Sequence, residues 1–192
     1  MLRIIVGGGT AVLASIAVTA ILQDRAQSGV PEDGESQPAD PGDEWPAGPD
    51  NEEELGDYTV GWPDGWTVDG RTDTQLTLVQ GEATVIFRAY TAGDDVTATE
   101  EAQRLLNRHT AGLGKRRTGA TSKGSGPVET ASIEASGVRG DGVRVDTTVH
   151  VAIDSYDDRS ALAVIALVPS GTPAARRDEI SGMRDDFLDQ LG

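Results

Sequence analysis

The sequence contains no cysteine among its 192 residues, and aromatic residues make up only 4% of it. Without cysteine there is no disulfide, no thiolate ligand for a metal and no attachment point for a lipid on a cysteine side chain. With few aromatic rings to bury, any folded domain must be stabilised mainly by the packing of aliphatic side chains.

Side chains that titrate near neutral pH are also scarce, because the chain has only two histidines. His109 falls on the apolar stripe of a predicted helix, which favours packing or a helix-end role over catalysis. His150 shares a strand face with Arg144, Asp146 and Thr148, which favours a polar cross-strand contact. The sequence has no Gly-x-Ser-x-Gly turn, no histidine pair at helical spacing and no calcium loop. We therefore predict no catalytic residue, no metal and no cofactor.

Positive charge is low, with 16 Lys and Arg against 32 Asp and Glu and a net charge of −16. This balance argues against nucleic-acid binding. Residues 23–57 carry one Arg, twelve acidic residues and five of the nine prolines, with almost no aliphatic residue. Such a composition buries too little apolar surface to offset the entropy of ordering. We predict that residues 23–57 form a disordered acidic linker, spanning about 30–35 Å as a flexible chain.

A hydrophobic run is present near the N-terminus, where residues 4–22 carry no formal charge. At about 1.5 Å per residue, a helix of this length just crosses a hydrocarbon core of about 30 Å. We predict that residues 1–22 are a cytoplasmic stub and a transmembrane anchor, with the following domain outside the cytoplasm because Arg3 precedes the span. The alternative is a cleaved signal peptide ending at the small residues Val18, Thr19 and Ala20, which would release a secreted protein.

The predicted span carries a small residue at every fourth position: Gly7, Ala11, Ser15 and Thr19. Ridges of this kind let two transmembrane helices approach closely, so these residues are candidates for helix packing in the membrane. The alternative is an anchor that is rich in small residues without a specific partner.

Residues 58–192 have the size of one domain. Alternating apolar residues predict strands at 58–62, 75–80, 83–91, 128–135 and 143–153, and an unbroken apolar run predicts a central strand at 161–168. A capping box at Thr97 and Glu100 begins the first predicted helix. Thr172, as the cap, and Pro173 begin the second. The fold class is α+β: a mostly antiparallel sheet of about six strands, in the order βββαβββα, with helices packed on it.

The predicted loop 115–127 concentrates positive charge at Lys115, Arg116, Arg117 and Lys123. Its glycine and serine residues would let it adapt to an anionic partner, such as lipid headgroups, an acidic wall polymer or an acidic protein face. The alternative is a solvated loop whose cations suit the end of the preceding helix.

One local motif carries a family resemblance. Trp62, Pro63, Asp64, Gly65 and Trp66 form an aromatic-Pro-x-Gly-Trp turn, followed by a hairpin, a helix, a glycine-containing loop, a meander and a terminal amphipathic helix. This order resembles the PsbP-like fold, which includes the LpqN-type secreted envelope proteins of actinobacteria. The resemblance implies a non-catalytic interaction domain and no specific site residues, and the two tryptophans are expected to pack in the core.

Together these features predict a membrane-anchored, extracytoplasmic binding or assembly module of the bacterial cell envelope that is not an enzyme. The expected partners are the membrane itself and another envelope protein or an anionic envelope component. Two alternatives are an extracytoplasmic hydrolase and a small-molecule sensor with a pocket between a helix and the sheet.

Overall fold

The computed structural model describes residues 51–191 except Ser125 and Asp157. In this part of the chain, nine strands and two helices follow one another in the order βββββαββββα, and a single 3₁₀ turn, Asp189–Leu191, follows the second helix. The bounds are β1 Asn51–Leu55, β2 Tyr58–Trp62, β3 Thr67–Thr72, β4 Gln75–Gln80, β5 Ala83–Thr91, α1 Ala98–Thr110, β6 Gly114–Gly124, β7 Val128–Val138, β8 Arg144–Asp154, β9 Ser160–Pro169 and α2 Ala174–Leu188.

Seven of these strands form one antiparallel sheet in the order β3-β4-β5-β9-β8-β7-β6. Strands β1 and β2 form a separate antiparallel ribbon. The central position of β9 explains its composition, because a strand between two neighbours with a helix on each face is buried on both sides. The predicted α+β class and the central buried strand are both confirmed.

The two helices pack on opposite faces of the sheet. Helix α1 lies over β7 and β8 and buries Ala102, Leu105 and Leu106 completely. Its first turn is fixed by the predicted capping box, in which the Thr97 hydroxyl accepts from the Glu100 amide at 3.2 Å and the Glu100 carboxylate accepts from the Thr97 amide at 3.0 Å.

Helix α2 and the β1-β2 ribbon cover the other face over β4, β5 and β9. Helical spacing predicts an apolar stripe of Ile180, Met183, Phe187 and Leu191 on this helix. The first three are buried, whereas Leu191 lies in the 3₁₀ turn after α2 and is partly buried. Phe187 packs edge-on against Phe87 of β5, with 5.3 Å between the ring centroids. Each helix thus covers about half of its face of the sheet, and the two covered halves overlap at β9.

Several predicted boundaries are wrong, and each error has a physical reason. Residues 51–191 hold nine strands where about six were predicted, because β1, β3 and β6 are largely exposed and show no apolar alternation. The segment predicted as the basic loop is strand β6, an edge strand with two bulges. Residues 51–57 belong to the fold and not to a linker, since β1 pairs with β2 through its backbone. The cap of α2 is Pro173 and not Thr172.

The predicted transmembrane anchor and most of the predicted linker lie outside the described residues. Within residues 51–191, neither helix has the length and apolar character needed to cross a bilayer.

Candidate functional site

The α2 side of strands β7 and β8 is polar and lies beyond the part of the sheet that α2 covers. We call this surface the open face, and its residues are Ser132, Glu134, Ser136, Asp146, Thr148 and His150. The intervening residues of the same strands, including Ile133, Val149 and Val151, are buried under α1. The period of two along each strand therefore separates a buried apolar side from a polar side that solvent can reach.

A groove runs between the open face and α2. Arg177, Ser181 and Arg184 of α2 are spaced by four and three residues, so they lie on one side of the helix and form one wall. Asp146, Thr148 and His150 form the opposite wall. The floor is apolar and consists of Val164, Ala166, Val168 and Ile180, and this part of the groove has a volume of about 230 Å³.

The two walls touch at both ends of this central part. At one end an Arg177 nitrogen lies 3.4 Å from Asp146 Oδ2. At the other end Arg184 Nη1 lies 3.4 Å from His150 Nε2. Thr148 and Ser181 line the same part of the groove.

Arg177 is held firmly, because its guanidinium donates to three backbone carbonyls at the end of strand β9 and in the turn that follows it. Its Nε donates to Thr172 at 3.3 Å, and Nη2 donates to Pro169 at 3.2 Å and to Ser170 at 3.3 Å. These contacts fix the side chain before any ligand binds, which lowers the entropy that binding would cost.

His150 is uncharged at neutral pH. Burial, together with the nearby positive charge of Arg184, lowers its pKa from 6.5 to about 4, and the weaker effect of Asp185 acts in the opposite direction. Arg184 donates to the Asp185 carboxylate at 2.7 Å, which holds its guanidinium beside the imidazole. A neutral ring facing a guanidinium offers Nε2 as a hydrogen-bond acceptor. The described residues show no hydrogen bond between His150 and Ser181, so the groove holds no assembled Ser–His pair.

Two further hollows extend the groove along the open face. One has a volume of about 320 Å³ and includes Arg117, Gly119 and Ser136. The other has a volume of about 360 Å³ and includes Ser122, Ser132 and Asp189. The first shares Glu134, Asp146, Thr148 and Arg177 with the central groove, and the second shares His150. The three spaces therefore lie next to one another along the open face, separated by the contacts that Arg177 and Arg184 make across the groove.

The structure separates the four predicted basic contact residues. Arg117 lies opposite Ser136 and lines the groove. Arg116 points to α1, where its guanidinium donates to Asn107 at 2.7 Å.

Lys115 is exposed beside Arg116 at a bulge of β6, and its φ of 49° is in the left-handed region. Lys123 lies opposite Ala131 on the α1 side, near Glu100 at the other end of the helix. The four residues that were predicted to form one site are therefore divided between two surfaces on opposite faces of the sheet.

The remaining residues that the sequence singled out lie away from the groove or outside the described residues. Trp62 and Trp66 are buried, as predicted, and the Trp66 indole donates to Glu179 at 3.0 Å. His109 is half-buried at the end of α1, and burial, with the charges of Arg108 and Arg88, lowers its pKa.

The proposed helix-packing residues Gly7, Ala11, Ser15 and Thr19 lie outside the described residues. In the described part, no three His, Asp or Glu side chains are close enough to hold a metal ion.

Sequence reasoning grouped His150 with Asp146 and Thr148 but missed the helical wall of the groove. A signal was present, because Arg177, Ser181 and Arg184 form a polar stripe beside the apolar stripe of α2. What the sequence could not show is that this stripe faces β8, since that depends on where α2 crosses the sheet.

No protein-family model matches the sequence, and no curated protein is significantly similar to it. Among solved structures, the chain is similar to LpqN, a protein involved in cell envelope biogenesis of Mycobacterium tuberculosis, with a TM-score of 0.43 and 12% identity over 68% of this chain and 79% of LpqN. It is also similar to PA94, a protein of unknown function from Pseudomonas aeruginosa, with a TM-score of 0.36 and 11% identity over 70% of this chain and 91% of PA94. Similarity at this level carries no information about ligand or activity, and the PsbP-like resemblance stays a prediction.

Proposed function

We propose that the folded domain is a binding module of the bacterial cell envelope that holds an extended polar ligand in the groove between α2 and strands β6–β8. The observation that carries this proposal is the pair of facing polar walls above an apolar floor, built on a regular strand and a regular helix. The compartment is inferred from the hydrophobic and acidic segments of the N-terminal sequence.

The shape of the groove favours a chain-like ligand over a compact one. Its central part, at about 230 Å³, is smaller than the roughly 300–1,000 Å³ of typical small-molecule sites. The hollows on either side continue it along the open face, so a ligand with several repeating units would contact more protein than a single small molecule. The small-molecule sensor is for this reason the second candidate.

The chemistry of the groove fits a polyhydroxylated chain. Each wall carries a hydroxyl group, and the positive charges of the α2 wall face the negative charge of the β8 wall, so together they supply donors and acceptors for sugar hydroxyls. The aliphatic floor suits the apolar face of a sugar ring. Because arginines and carboxylates occur together, the ligand need not be charged. We therefore propose an envelope polysaccharide as the ligand, which the domain binds without cleaving.

Thermal unfolding with envelope oligosaccharides tests this proposal. The probe is the soluble oligosaccharide fraction released from isolated cell envelopes, added to the full-length chain in a non-ionic detergent. Binding should raise the unfolding temperature of the wild type, because a ligand that binds only the folded state stabilises it. Ser181→Trp, which fills the groove, should abolish the rise, whereas Ser155→Trp at the exposed β8–β9 turn should keep it.

Other outcomes would replace the proposal. If no fraction shifts the transition, or if Ser181→Trp responds like the wild type, the groove is not a polysaccharide site. If peptides from the same envelopes give the only shift, the ligand is a protein segment. Cleavage of the bound oligosaccharide that disappears in His150→Gln would show a hydrolase.

A further inference from the structure

Helix α1 meets strand β5 on the face of the sheet opposite to the groove. The helix packs mainly on β7 and β8, so most of the α1 side of β4 and β5 extends beyond it. Three side chains there, Thr77, Val79 and Thr84, are partly exposed. Solvent and solutes can therefore reach the line where the side of α1 borders β5, which we call the α1–β5 junction.

Three charged residues of α1 lie on the side of the helix that faces the junction. Glu101, Arg104 and Arg108 are spaced by three and four residues, so they share one side of the helix. Tyr90 of β5 fixes the direction of this side, because its hydroxyl donates to Glu101 Oε1 at 2.8 Å. The opposite side of the helix faces β6.

The one carboxylate of this row is already neutralised. Glu101 is only 4% exposed, and Arg104 donates to it from Nε at 2.7 Å and also from Nη2. A bidentate pair of this kind is strong and fixes the geometry of both side chains. Glu101 therefore has no charge left to balance a further cation.

Strand β5 adds a second guanidinium to the junction. Arg88 precedes Tyr90 by two positions, so both side chains lie on the α1 side, and the Arg88 guanidinium lies 5.2 Å from the centre of the Tyr90 ring. Arg88 is half-buried, and its buried Nε has no hydrogen-bond partner among the described residues. Burying a charged donor without an acceptor costs stability, and such exceptions are found at functional sites.

Arg108 of α1 and Arg88 of β5 reach the same part of the junction. From the contact between Tyr90 and Glu101, Arg88 is two strand residues away, about 7 Å, and Arg108 is seven helix residues away, about 10 Å. Both lie towards His109, because burial and then the charges of Arg108 and Arg88 lower the pKa of this histidine.

The charges at the junction do not cancel. The three arginines and Glu101 have a net charge of +2, and His109 is neutral at neutral pH. No carboxylate of the described residues lies within 4.0 Å of Arg88 or Arg108. Two guanidiniums are therefore available to one anion.

We propose that Arg88 and Arg108 bind a phosphate monoester at the α1–β5 junction. The net charge of +2 matches such a group, which carries about −1.5 to −2 at pH 7 and offers three acceptor oxygens. A carboxylate or a phosphodiester carries a single negative charge and would leave one guanidinium uncompensated. The planar fork of donors on arginine also suits phosphate oxygens. The site is independent of the groove and of the ligand proposed there.

NMR of the histidine rings tests this site, because the chain contains only two histidines. His109 lies at the junction, and His150 lies in the groove on the other face. Glycerol phosphate and inorganic phosphate are titrated, at constant pH and ionic strength, into the full-length chain in a non-ionic detergent. Both should shift the His109 resonances to saturation and leave those of His150 unchanged. Dimethyl phosphate, a diester, should bind about tenfold more weakly because it carries one charge.

Substitutions assign the binding to the two arginines. Arg88→Gln and Arg108→Gln should each weaken glycerol phosphate binding about tenfold, since each removes a charged hydrogen-bond donor. Arg108 is exposed, so its replacement tests the site even if Arg88→Gln unfolds the chain. Arg116→Gln removes the same charge from the other side of α1 and should leave the affinity unchanged. Ser181→Trp, which fills the groove, should also leave it unchanged.

Four results would overturn the proposal. The first is an unchanged affinity in Arg108→Gln, and the second is an equal loss in Arg116→Gln, which would mean that phosphate responds only to overall charge. The third is a shift of the His150 resonances that Ser181→Trp abolishes, because phosphate would then bind in the groove. The fourth is binding of inorganic phosphate without glycerol phosphate, because the site would then exclude an ester.

Discussion

The α2-side face of the sheet has two halves of opposite character. Over β4 and β5 it presents Leu76, Leu78, Val85 and Phe87, none of which is exposed to solvent. Over β7 and β8 the same side of the sheet is the open face, which is polar and borders the groove. Backbone hydrogen bonding is continuous across both halves, so the difference lies entirely in the side chains and in what covers them.

The other face of the sheet explains why one half can remain polar. Strands β7 and β8 bury Ile133, Val149, Val151 and Ile153 under α1, and this packing anchors them to the core. The side of β7 and β8 that faces away from α1 therefore does not have to be apolar for these strands to be stable. Natural proteins place binding residues where a rigid scaffold leaves a surface free, and the open face meets that condition.

The largest effect is expected when packing is removed from the apolar half of this face, which α2 covers. Phe187→Ala deletes a ring that is 1% exposed and contacts Phe87 edge-on. The free energy of unfolding should fall by about 3–5 kcal/mol because a large cavity replaces the ring. Urea denaturation measures the loss. Ser181→Ala, on the groove side of the same helix, should change stability by less than about 0.5 kcal/mol. Equal effects of the two substitutions would mean that α2 does not dock as described.

The second test uses acid to probe the uncovered half. The pKa of His150 is about 4 in the folded state and 6.5 as the ordinary value. Between these values the unfolded chain binds a proton that the folded chain refuses, so the unfolding free energy falls as the pH is lowered from about 6.5 to 4. The loss attributable to this group is at most about 3 kcal/mol.

His150→Gln is the control for the acid test, because glutamine keeps a polar side chain that does not titrate. The variant should lose less stability than the wild type between pH 6.5 and 4, as urea denaturation at several pH values would show. A histidine NMR titration gives an independent reading. If the His150 resonance titrates near pH 6.5, the imidazole is solvated and the groove is more open than the described contacts indicate.

The contrast between buried and exposed parts of the sheet also explains which elements the sequence could predict. Strands β5, β8 and β9 were predictable, because burial imposes alternation or an unbroken apolar run on them. Strand β6 was not, since an exposed edge strand needs no apolar pattern and its glycines and cations resemble those of a loop. The polar side of β8 was visible as alternation, but the facing wall from α2 depends on a helix crossing that no local pattern records.

The smallest test compares two neighbouring threonines that lie on opposite faces of β8. Thr147 is 1% exposed, and its hydroxyl has no hydrogen-bond partner among the described residues. Replacing a buried, unpaired hydroxyl with a methyl group removes a desolvation cost, so Thr147→Val should stabilise the fold by about 1 kcal/mol. Thr148→Val, in the groove wall, should change stability by less than about 0.5 kcal/mol, because its hydroxyl reaches solvent. It should nevertheless weaken binding of the oligosaccharide probe. A destabilising Thr147→Val, measured in the same urea experiment, would show that the hydroxyl has an acceptor and that the α1 side of β8 is less apolar than its neighbours suggest.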